Sequence, residues 1–466
     1  MRRRIIMSEN LYENLANHLS CRTCEQLAFL FAGRSESEVH LDLLVRDTRL
    51  VQQKELKGRG ERGLELSDEV RSEVFCRAAR ENYVVIEAHS HPGAIGGITF
   101  SSTDNQGEES LLPYVRGKLP GMPYGSIVWW RDSADARLWL PFRKRPDKVD
   151  SIRVVGSRIR DIIPTSAPSP KYASYDSNRY QRQILAFGQK GQEYLKATHV
   201  GIVGLGGIGS HVAQQLAYLG IGQFTLIDDD RIERANLNRL VGAFTTNIRD
   251  HKVKVAKKLI QRIAPGTRVN IFRSSLMRHL AINALRNIDV LIGCTDTDGS
   301  RLVLNELAKA YMLPYFDCAV SIEATADRII NIGGRVFFIS PDGPCLLCAQ
   351  EIDKILARQE LESPFEKEIR RNHGYVAGAN VQEPSVIGLN GIIASLAVGE
   401  VMALVTGWRK PILFQVYYGD GRNNSCVHRK ISQNPRCLHC MTGTGKGDAA
   451  MLERYDRSNL PRDLPK

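Results

Sequence analysis

The sequence predicts an α/β fold in two domains: a compact α/β sandwich over residues 1–160, then a doubly wound parallel sheet over 177–441. Three observations carry this. A chain of 466 residues exceeds one ordinary domain. Thr165–Ser174 is a Pro/Ser/Ala run without periodicity, which marks residues 161–176 as a linker. Strand and helix patterns alternate strictly after that run, whereas before it they interleave without a βαβ rhythm.

In the first domain, Leu11, Leu15 and Leu19 recur at helical spacing, and Leu27–Ala32 is an apolar run ending at Gly33. Val39–Val45 reads as a strand. Val70, Val74 and Ala78 mark a helix behind the capping residue Ser67. Tyr83–His91 is a further strand, and Ser126–Leu140 a hairpin turning near Asp132–Asp135.

In the second domain, Val200–Val203 is a strand, Gly204–Gly209 a glycine turn and His211–Leu219 a helix. Gln223–Asp228 is the next strand. Val255, Leu259 and Ile263 share a helical face, and strands follow at Val269–Phe272 and Asp289–Ile292. Ser385–Val405 is apolar enough to span a bilayer, but its glycines and Glu400 suit a buried helix of a large α/β domain better. From Thr442 the glycines and charges of residues 442–466 predict a flexible tail.

Composition narrows the function. At 43% hydrophobic and 24% charged, the chain is neither wholly disordered nor a disulfide scaffold. Its 63 basic minus 51 acidic residues leave +12, which favours an acidic partner. No helix-turn-helix, RNA-binding signature or aromatic-interleaved basic stripe accompanies that charge, so nucleic-acid binding is not expected. The basic first residues lack an apolar h-region, so no secretory signal is read there, and a cytoplasmic location is expected.

Glu87-Ala88-His89-Ser90-His91-Pro92 lies on a predicted strand, whose alternation puts His89 and His91 on one face. Ser101-Ser102-Thr103-Asp104 follows with a hydroxyl and a carboxylate. Two imidazoles and one carboxylate make three ligands, leaving a fourth position open, as catalytic zinc requires. A solvated surface strand is the plain alternative for a bare His-x-His. The order His-x-His-Pro, then Ser-x-x-Asp, resembles the JAMM (JAB/MPN) metalloprotease motif, over most of residues 8–145. That resemblance implies a JAB/MPN-type sandwich in which His89, His91 and Asp104 hold zinc and Ser101 steadies the oxyanion. It implies a general base at Glu25, ahead of the apolar run ending in Gly33; Glu36, Glu38 and Glu87 are weaker candidates. The segment from His91 to Asp104, through Gly93, Gly96 and Gly97, is longer than that family's usual spacing.

Gly204-Leu205-Gly206-Gly207-Ile208-Gly209 is a G-x-G-x-x-G turn between strand and helix, where backbone N–H groups meet phosphate oxygens. Asp228, ending the next strand, is placed for ribose hydroxyls. NAD binding would need no more than this. Asp228-Asp229-Asp230, Asn236-Leu237-Asn238-Arg239, Lys252 and Thr295-Asp296 add cations and carboxylates at strand ends, and adenylyl transfer needs such an array. From Arg179-Tyr180-Gln181-Arg182-Gln183 to about Cys440 the sequence looks like the ThiF family, bacterial relatives of ubiquitin-activating enzymes. That resemblance implies a Rossmann-like domain using ATP and Mg²⁺. Gly204, Gly206, Gly207 and Gly209 would form the nucleotide turn, and Asp228 and Asp230 would flank it. Asn236, Arg239 and Lys252 would attend the phosphates and Asp296 would hold Mg²⁺. Arg182 would reach the ATP site of a partner subunit in a homodimer.

Cys345-Leu346-Leu347-Cys348 and Cys437-Leu438-His439-Cys440 are two CxxC pairs, and four thiolates suit a closed structural zinc site. Cys21-Arg22-Thr23-Cys24 has no second half, and thiols at a helix end are its plainer reading. The stretch Ala349–Ser385, with Arg370, Arg371 and His373, contains no cysteine to carry a thioester. Cys294 and Cys318 read as core residues at strand ends.

Together these features predict a fusion acting on one carboxyl terminus from two directions. One domain would trim or deconjugate a small ubiquitin-like or sulfur-carrier protein after its C-terminal Gly-Gly. The other would adenylate the exposed carboxylate, with a conjugating enzyme as a further partner. Alternatives are adenylation of a peptide or tRNA-linked amino acid, or a non-catalytic first domain that binds the carrier.

Overall fold

The computed structural model describes residues 1–21, 24–60, 63–94, 97–169, 174–325, 327–362, 384–421 and 425–456, with the side chains of 57–65 excluded. They form two compact units. The first takes in Met1–Lys171, Ala310–Met312 and Thr442–Ala450; the second takes in Tyr172–Lys309, Leu313–Met441 and the residues after Ala450.

The first unit runs β1 (Arg2–Ser8), α1 (Glu9–Leu19), β2 (Leu27–Glu36), β3 (His40–Leu50), β4 (Leu56–Gly60), β5 (Gly63–Leu66), α2 (Asp68–Glu81), β6 (Val84–Ser90) and α3 (Ser102–Lys118). It continues through β7 (Tyr124–Trp130), β8 (Ser133–Trp139), β9 (Asp147–Lys148), β10 (Ser151–Val155) and β11 (Ile159–Ile162). Nine strands form one mixed sheet in the order β11-β10-β1-β3-β2-β6-β7-β8-β9.

Strand β2 explains why its sequence is an unbroken apolar run. Ala28, Leu30 and Ala32 enter a core with Tyr12, Leu15 and Leu19 of α1, while Leu27, Phe29 and Phe31 enter a second core with Val70, Val74, Phe75 and Val115 of α2 and α3. A strand covered on both faces has no solvent side on which to alternate. The α/β sandwich is therefore a central sheet between helices; β6 carries His89, and the start of the neighbouring strand β2 lies just after Glu25.

The second unit contains α4 (Gln181–Ala197), β12 (His199–Val203), α5 (Gly207–Leu219), β13 (Gln223–Ile227), α6 (Lys252–Ile263), β14 (Arg268–Phe272), α7 (His279–Leu285), β15 (Val290–Gly293) and α8 (Asp298–Ala310). There follow β16 (Tyr315–Ala324), β17 (Ile329–Ile339), α9 (Lys354–Glu360), α10 (Ile387–Thr406), β18 (Phe414–Tyr418), β19 (Cys426–His428) and α11 (Leu438–Met441). The sheet order is β14-β13-β12-β15-β16-β17-β18-β19. Strands β14 to β16 are parallel, but β16 to β19 are antiparallel, so the expected all-parallel sheet is mixed. The short link from Ala324 to Ile329 can only return antiparallel, because a parallel partner needs a crossover of a dozen residues or more.

Helix α10 is the segment read as a buried helix or a span. Among the described residues it alone is long and apolar enough to cross a membrane, and half of its apolar window is buried inside the protein. Its Glu400 is buried and held by both guanidinium arms of Arg409 at 2.6 Å, by the Gln415 amide at 2.6 Å and by the Ile412 N–H at 2.8 Å. A carboxylate compensated this completely within the protein belongs to a core helix.

Residues 442–456 depart from the expected flexible tail. Gly447 donates to the Ala310 carbonyl, and the Glu36 N–H donates to Asp448. A Cβ on Gly33 would collide with the Gly445 carbonyl, so backbone packs on backbone here only because Gly33 lacks a side chain. The glycines that suggested mobility are what allow close approach. Residues 457–466 lie outside the described part. Gly33→Ala is accordingly expected to cost about 1–3 kcal/mol by overpacking and to release 442–450 to limited proteolysis. Gly107→Ala, in helix α3 with open space around it, should instead stabilise by about 0.5–1 kcal/mol. Thermal unfolding of both variants checks this; a Gly33→Ala protein as stable as its parent contradicts the packing.

Candidate active sites

In the first unit, β6 places Glu87 and His89 on one face, and His91 follows one residue beyond its end. His89 Nε2 lies 3.1 Å from His91 Nε2, 3.2 Å from Asp104 Oδ1, and His91 Nε2 lies 3.4 Å from Asp104 Oδ2. All three ligand atoms fall within 4.8 Å of one another, the span of a metal's coordination sphere. Asp104 is fixed by local sequence: Ser101 caps α3, its hydroxyl oxygen accepting the Asp104 N–H at 3.1 Å while Asp104 accepts the Ser101 N–H at 2.6 Å. This reciprocal capping box builds the ligand into a helix start. Burial opposes charge on His89, but the Asp104 hydrogen bond and charge outweigh it and raise its pKa. Asp104 is itself buried against its charge, yet hydrogen bonds from both imidazoles hold its carboxyl far below the usual range.

These groups line a cavity of about 360 Å³ together with Glu25, Glu87, Ser101 and Glu108. Glu25 sits two residues before β2, against the histidine-bearing strand. Glu87 accepts the Tyr124 hydroxyl at 2.9 Å, and burial pushes its carboxyl up. Glu108 is committed to Arg137 at 2.9 Å and Trp139. Glu36 ends β2 at the far end from the cavity and Glu38 lies beyond it, which corrects both as candidates for the base. Residues 95 and 96 of the lengthened His91–Asp104 segment, Gly96 among them, lie outside the described residues. Sequence reasoning missed the Tyr124–Glu87 pair, for which spacing offers no signal.

In the second unit, the glycine turn joins β12 to α5. Gly204 has φ 86°, and a Cβ on Gly209 would strike the Gly204 carbonyl, so these two positions are closed to other residues. Gly206 caps α5, and Gly207 opens it. The buried Asn390 of α10 abuts Gly207 from behind; its signal was a lone amide in an apolar helix. Asp228 follows β13, accepting the Leu205 N–H at 2.6 Å and the Asp230 N–H at 2.9 Å, and burial raises its pKa. Lys252, first residue of α6, reaches Asp230 at 2.7 Å. Burial lowers its pKa, but Asp228 and Asp230 outweigh this and raise it, so the ammonium is held charged.

Asp296 is exposed on the loop after β15 and contributes to the field on Lys252. Asn236 accepts the Glu233 N–H at 3.0 Å, and Arg239 folds onto its own loop, donating to the Ala235 carbonyl at 2.6 Å and the Asn238 side chain at 3.1 Å. Thus Asp228, Asp230 and Lys252 are brought together beside the turn, while Asn236 and Arg239 are tied within the loop between β13 and α6. Arg182 is exposed in the first turn of α4. Arg370, Arg371 and His373 lie outside the described residues.

Four cysteines converge in the second unit. Cys345 Sγ lies 3.6 Å from Cys437 Sγ and 3.8 Å from Cys348 Sγ, and Cys348 Sγ lies 3.6 Å from Cys440 Sγ. Sulfurs at about 2.3 Å from one centre are spaced about 3.8 Å apart in a tetrahedron, so the donor set fits zinc. The Cys440 hydrogen bond, chiefly, draws the Cys345 thiol down to about 4, while the same bond pushes Cys440 up. Buried Lys309 donates to the carbonyls of Ser340, Pro341 and Gly343 at 2.8, 3.0 and 2.6 Å, and its charge acts on Cys440, Cys345 and Cys348. Sequence gave no sign of this cation. Cys318 is buried in β16, and a hydrogen bond with Cys294, together with burial, pushes its thiol well up.

Residues 180–439 match the ThiF family. The chain is 27% identical to the sulfur carrier protein adenylyltransferase of Thermus thermophilus, over 58% of this chain and 93% of that protein. It is 28% identical to the molybdopterin-synthase adenylyltransferase of Escherichia coli, over 57% of this chain and 95% of that one. With the adenylyltransferase and sulfurtransferase MOCS3 of Drosophila sechellia it shares 27% identity over 66% of this chain, spanning 65% of that relative's length. With its glycine turn, strand-end carboxylates and paired CxxC knuckles inside the matched residues, the chain belongs to the ThiF family.

Proposed function

We propose that the second unit adenylates the C-terminal carboxylate of a small ubiquitin-like or sulfur-carrier protein ending in Gly-Gly. The observation that carries this reading is Lys252 held charged beside Asp228 and Asp230 at the rim of a glycine turn, in a chain of the ThiF family. In this reading a carrier carboxylate oxygen bonds to the α-phosphorus of ATP, the α–β bridging bond breaks, and pyrophosphate leaves with the electron pair. Lys252 and Arg239 neutralise the phosphates, Arg239 by leaving its own loop, and the Asn236 amide donates to them. Asp228 retains lone pairs for the ribose, and Asp296 would hold Mg²⁺. Arg182 would act on the site of a second copy in a homodimer. The four-cysteine cluster would hold structural zinc, and a reducing, cytoplasmic setting would keep those thiols available.

We further propose that the first unit hydrolyses the bond after that Gly-Gly. The donor set of His89, His91 and Asp104 suits zinc, which when bound would polarise a carbonyl and acidify water. Glu25 takes the water proton and passes it to the leaving amine. Ser101 spends its oxygen on the Asp104 N–H, which leaves its O–H to donate to the oxyanion.

Three outcomes are expected. Asp296→Ala should lower carrier adenylation by on the order of 10²-fold or more, read as the carrier's mass gain of one adenylate; an unchanged rate removes Asp296 from the site. Glu25→Gln should keep about two zinc per chain while hydrolysis falls roughly 10²–10⁴-fold, whereas His89→Ala should fall to about one zinc. Hydrolysis at the parent rate by Glu25→Gln moves the base to Glu87, and wild-type protein with zinc but no hydrolysis favours a binding role. Finally, Ala349–Ser385 contains no cysteine, and Cys318 is buried and hydrogen-bonded to Cys294, so activation should leave no thiol-linked carrier. A carrier adduct released by dithiothreitol and lost in Cys294→Ser or Cys318→Ser contradicts that.

A further inference from the structure

Cys21 and Cys24 remain outside both proposed reactions. Their Sγ atoms lie 3.0 Å apart, both half-buried, on the segment joining α1 to β2. Among the described residues no third metal ligand joins them. A disulfide needs the sulfurs only about 1 Å closer, near 2.05 Å.

What lies beside them gives the pair a consequence. The Gln26 side-chain amide donates to Cys24 Sγ at 2.8 Å. The Gln26 backbone is clamped to Ser90, its N–H donating to Ser90 Oγ at 2.9 Å and its carbonyl accepting the Ser90 N–H at 3.0 Å. Ser90 stands between His89 and His91, and Glu25 stands between Cys24 and Gln26. One end of this short segment is therefore fixed to the histidine strand, and the other carries the thiol pair. A shift of the Cys24 backbone toward Cys21 therefore falls on Glu25, which stands between Cys24 and the clamped Gln26.

We propose that Cys21 and Cys24 form a reversible disulfide that moves Glu25 and so switches the cavity at His89, His91 and Asp104 between two states. A peroxide is the oxidant. One thiolate attacks a peroxide oxygen, giving a sulfenic acid as the O–O bond breaks; the second thiol displaces that oxygen. Two thiols and one H₂O₂ thus yield one disulfide and two waters, and a dithiol reverses the change. The effect on hydrolysis rests on the peptidase reading above, but formation of the disulfide does not.

Trypsin tests the bond directly, because Arg22 lies between the two cysteines. Reduced protein gives separate peptides 5–22 and 23–34. Full-length protein treated with H₂O₂, capped with iodoacetamide and digested without reductant should give the two joined, and dithiothreitol should part them. Both cysteines still alkylatable after peroxide has oxidised other thiols overturns the proposal. Hydrolysis of a Gly-Gly-extended carrier should fall on the order of 10²-fold with the linked peptide, recover with dithiothreitol, and resist peroxide in Cys21→Ser and in Cys24→Ala. A linked peptide with unchanged hydrolysis overturns the switch. Reduced protein that never hydrolyses the carrier overturns the peptidase reading instead, so the two failures are distinct.

Discussion

A central strand buried on both faces has its backbone groups consumed by the ladder and its side chains consumed by two cores. Chemistry then gathers at the strand's last residues and just beyond them. This constraint governs both units. His91 lies just past β6, Gly204 just past β12, Asp228 just past β13 and Asp296 in the loop after β15. In the second unit four parallel strands, β14, β13, β12 and β15, end on the same edge, and the glycine turn and its charges collect there. In the first unit β2 and β6 are antiparallel, so the start of β2 meets the end of β6. That is why Glu25, ahead of β2, and the two histidines share one cavity.

Charge is then held by compensation. Two imidazoles stabilise the Asp104 carboxylate, and Asp230 with Asp228 stabilises the Lys252 ammonium. Lys309 is anchored by three carbonyls, and its charge bears on Cys345, Cys348 and Cys440, which would otherwise repel as thiolates. Asp104 and Lys252 are thus held charged before any ligand arrives, which lowers the reorganisation required at reaction.

Much of this was legible in sequence wherever a local rule set the geometry. Alternation put His89 and His91 together, and the strand-to-helix glycine turn showed itself in its spacing; Ser101 and Asp104 were read as hydroxyl and ligand, not as the helix cap they also form. Less was legible where distant segments met. Helix α3 is polar and interrupted by Pro113, so its apolar face at Leu112 and Val115 was too sparse to read. The glycines at 443, 445 and 447 have the composition of a loose tail, yet Gly445 faces Gly33, a pairing visible only in three dimensions. Likewise no spacing rule reveals that Tyr124 bonds Glu87 or that Lys309 faces the cysteines.

The central claim is that both units act on one carboxyl terminus in sequence. It is tested by following the mass of a carrier bearing residues beyond Gly-Gly. Without ATP the full-length protein should remove the extension, and with ATP and Mg²⁺ the trimmed carrier alone should gain an adenylate. Glu25→Gln should block both changes, while carrier supplied already trimmed should still be adenylated by that variant. An extended carrier adenylated as readily as a trimmed one, or left intact by the wild-type protein, would contradict the account.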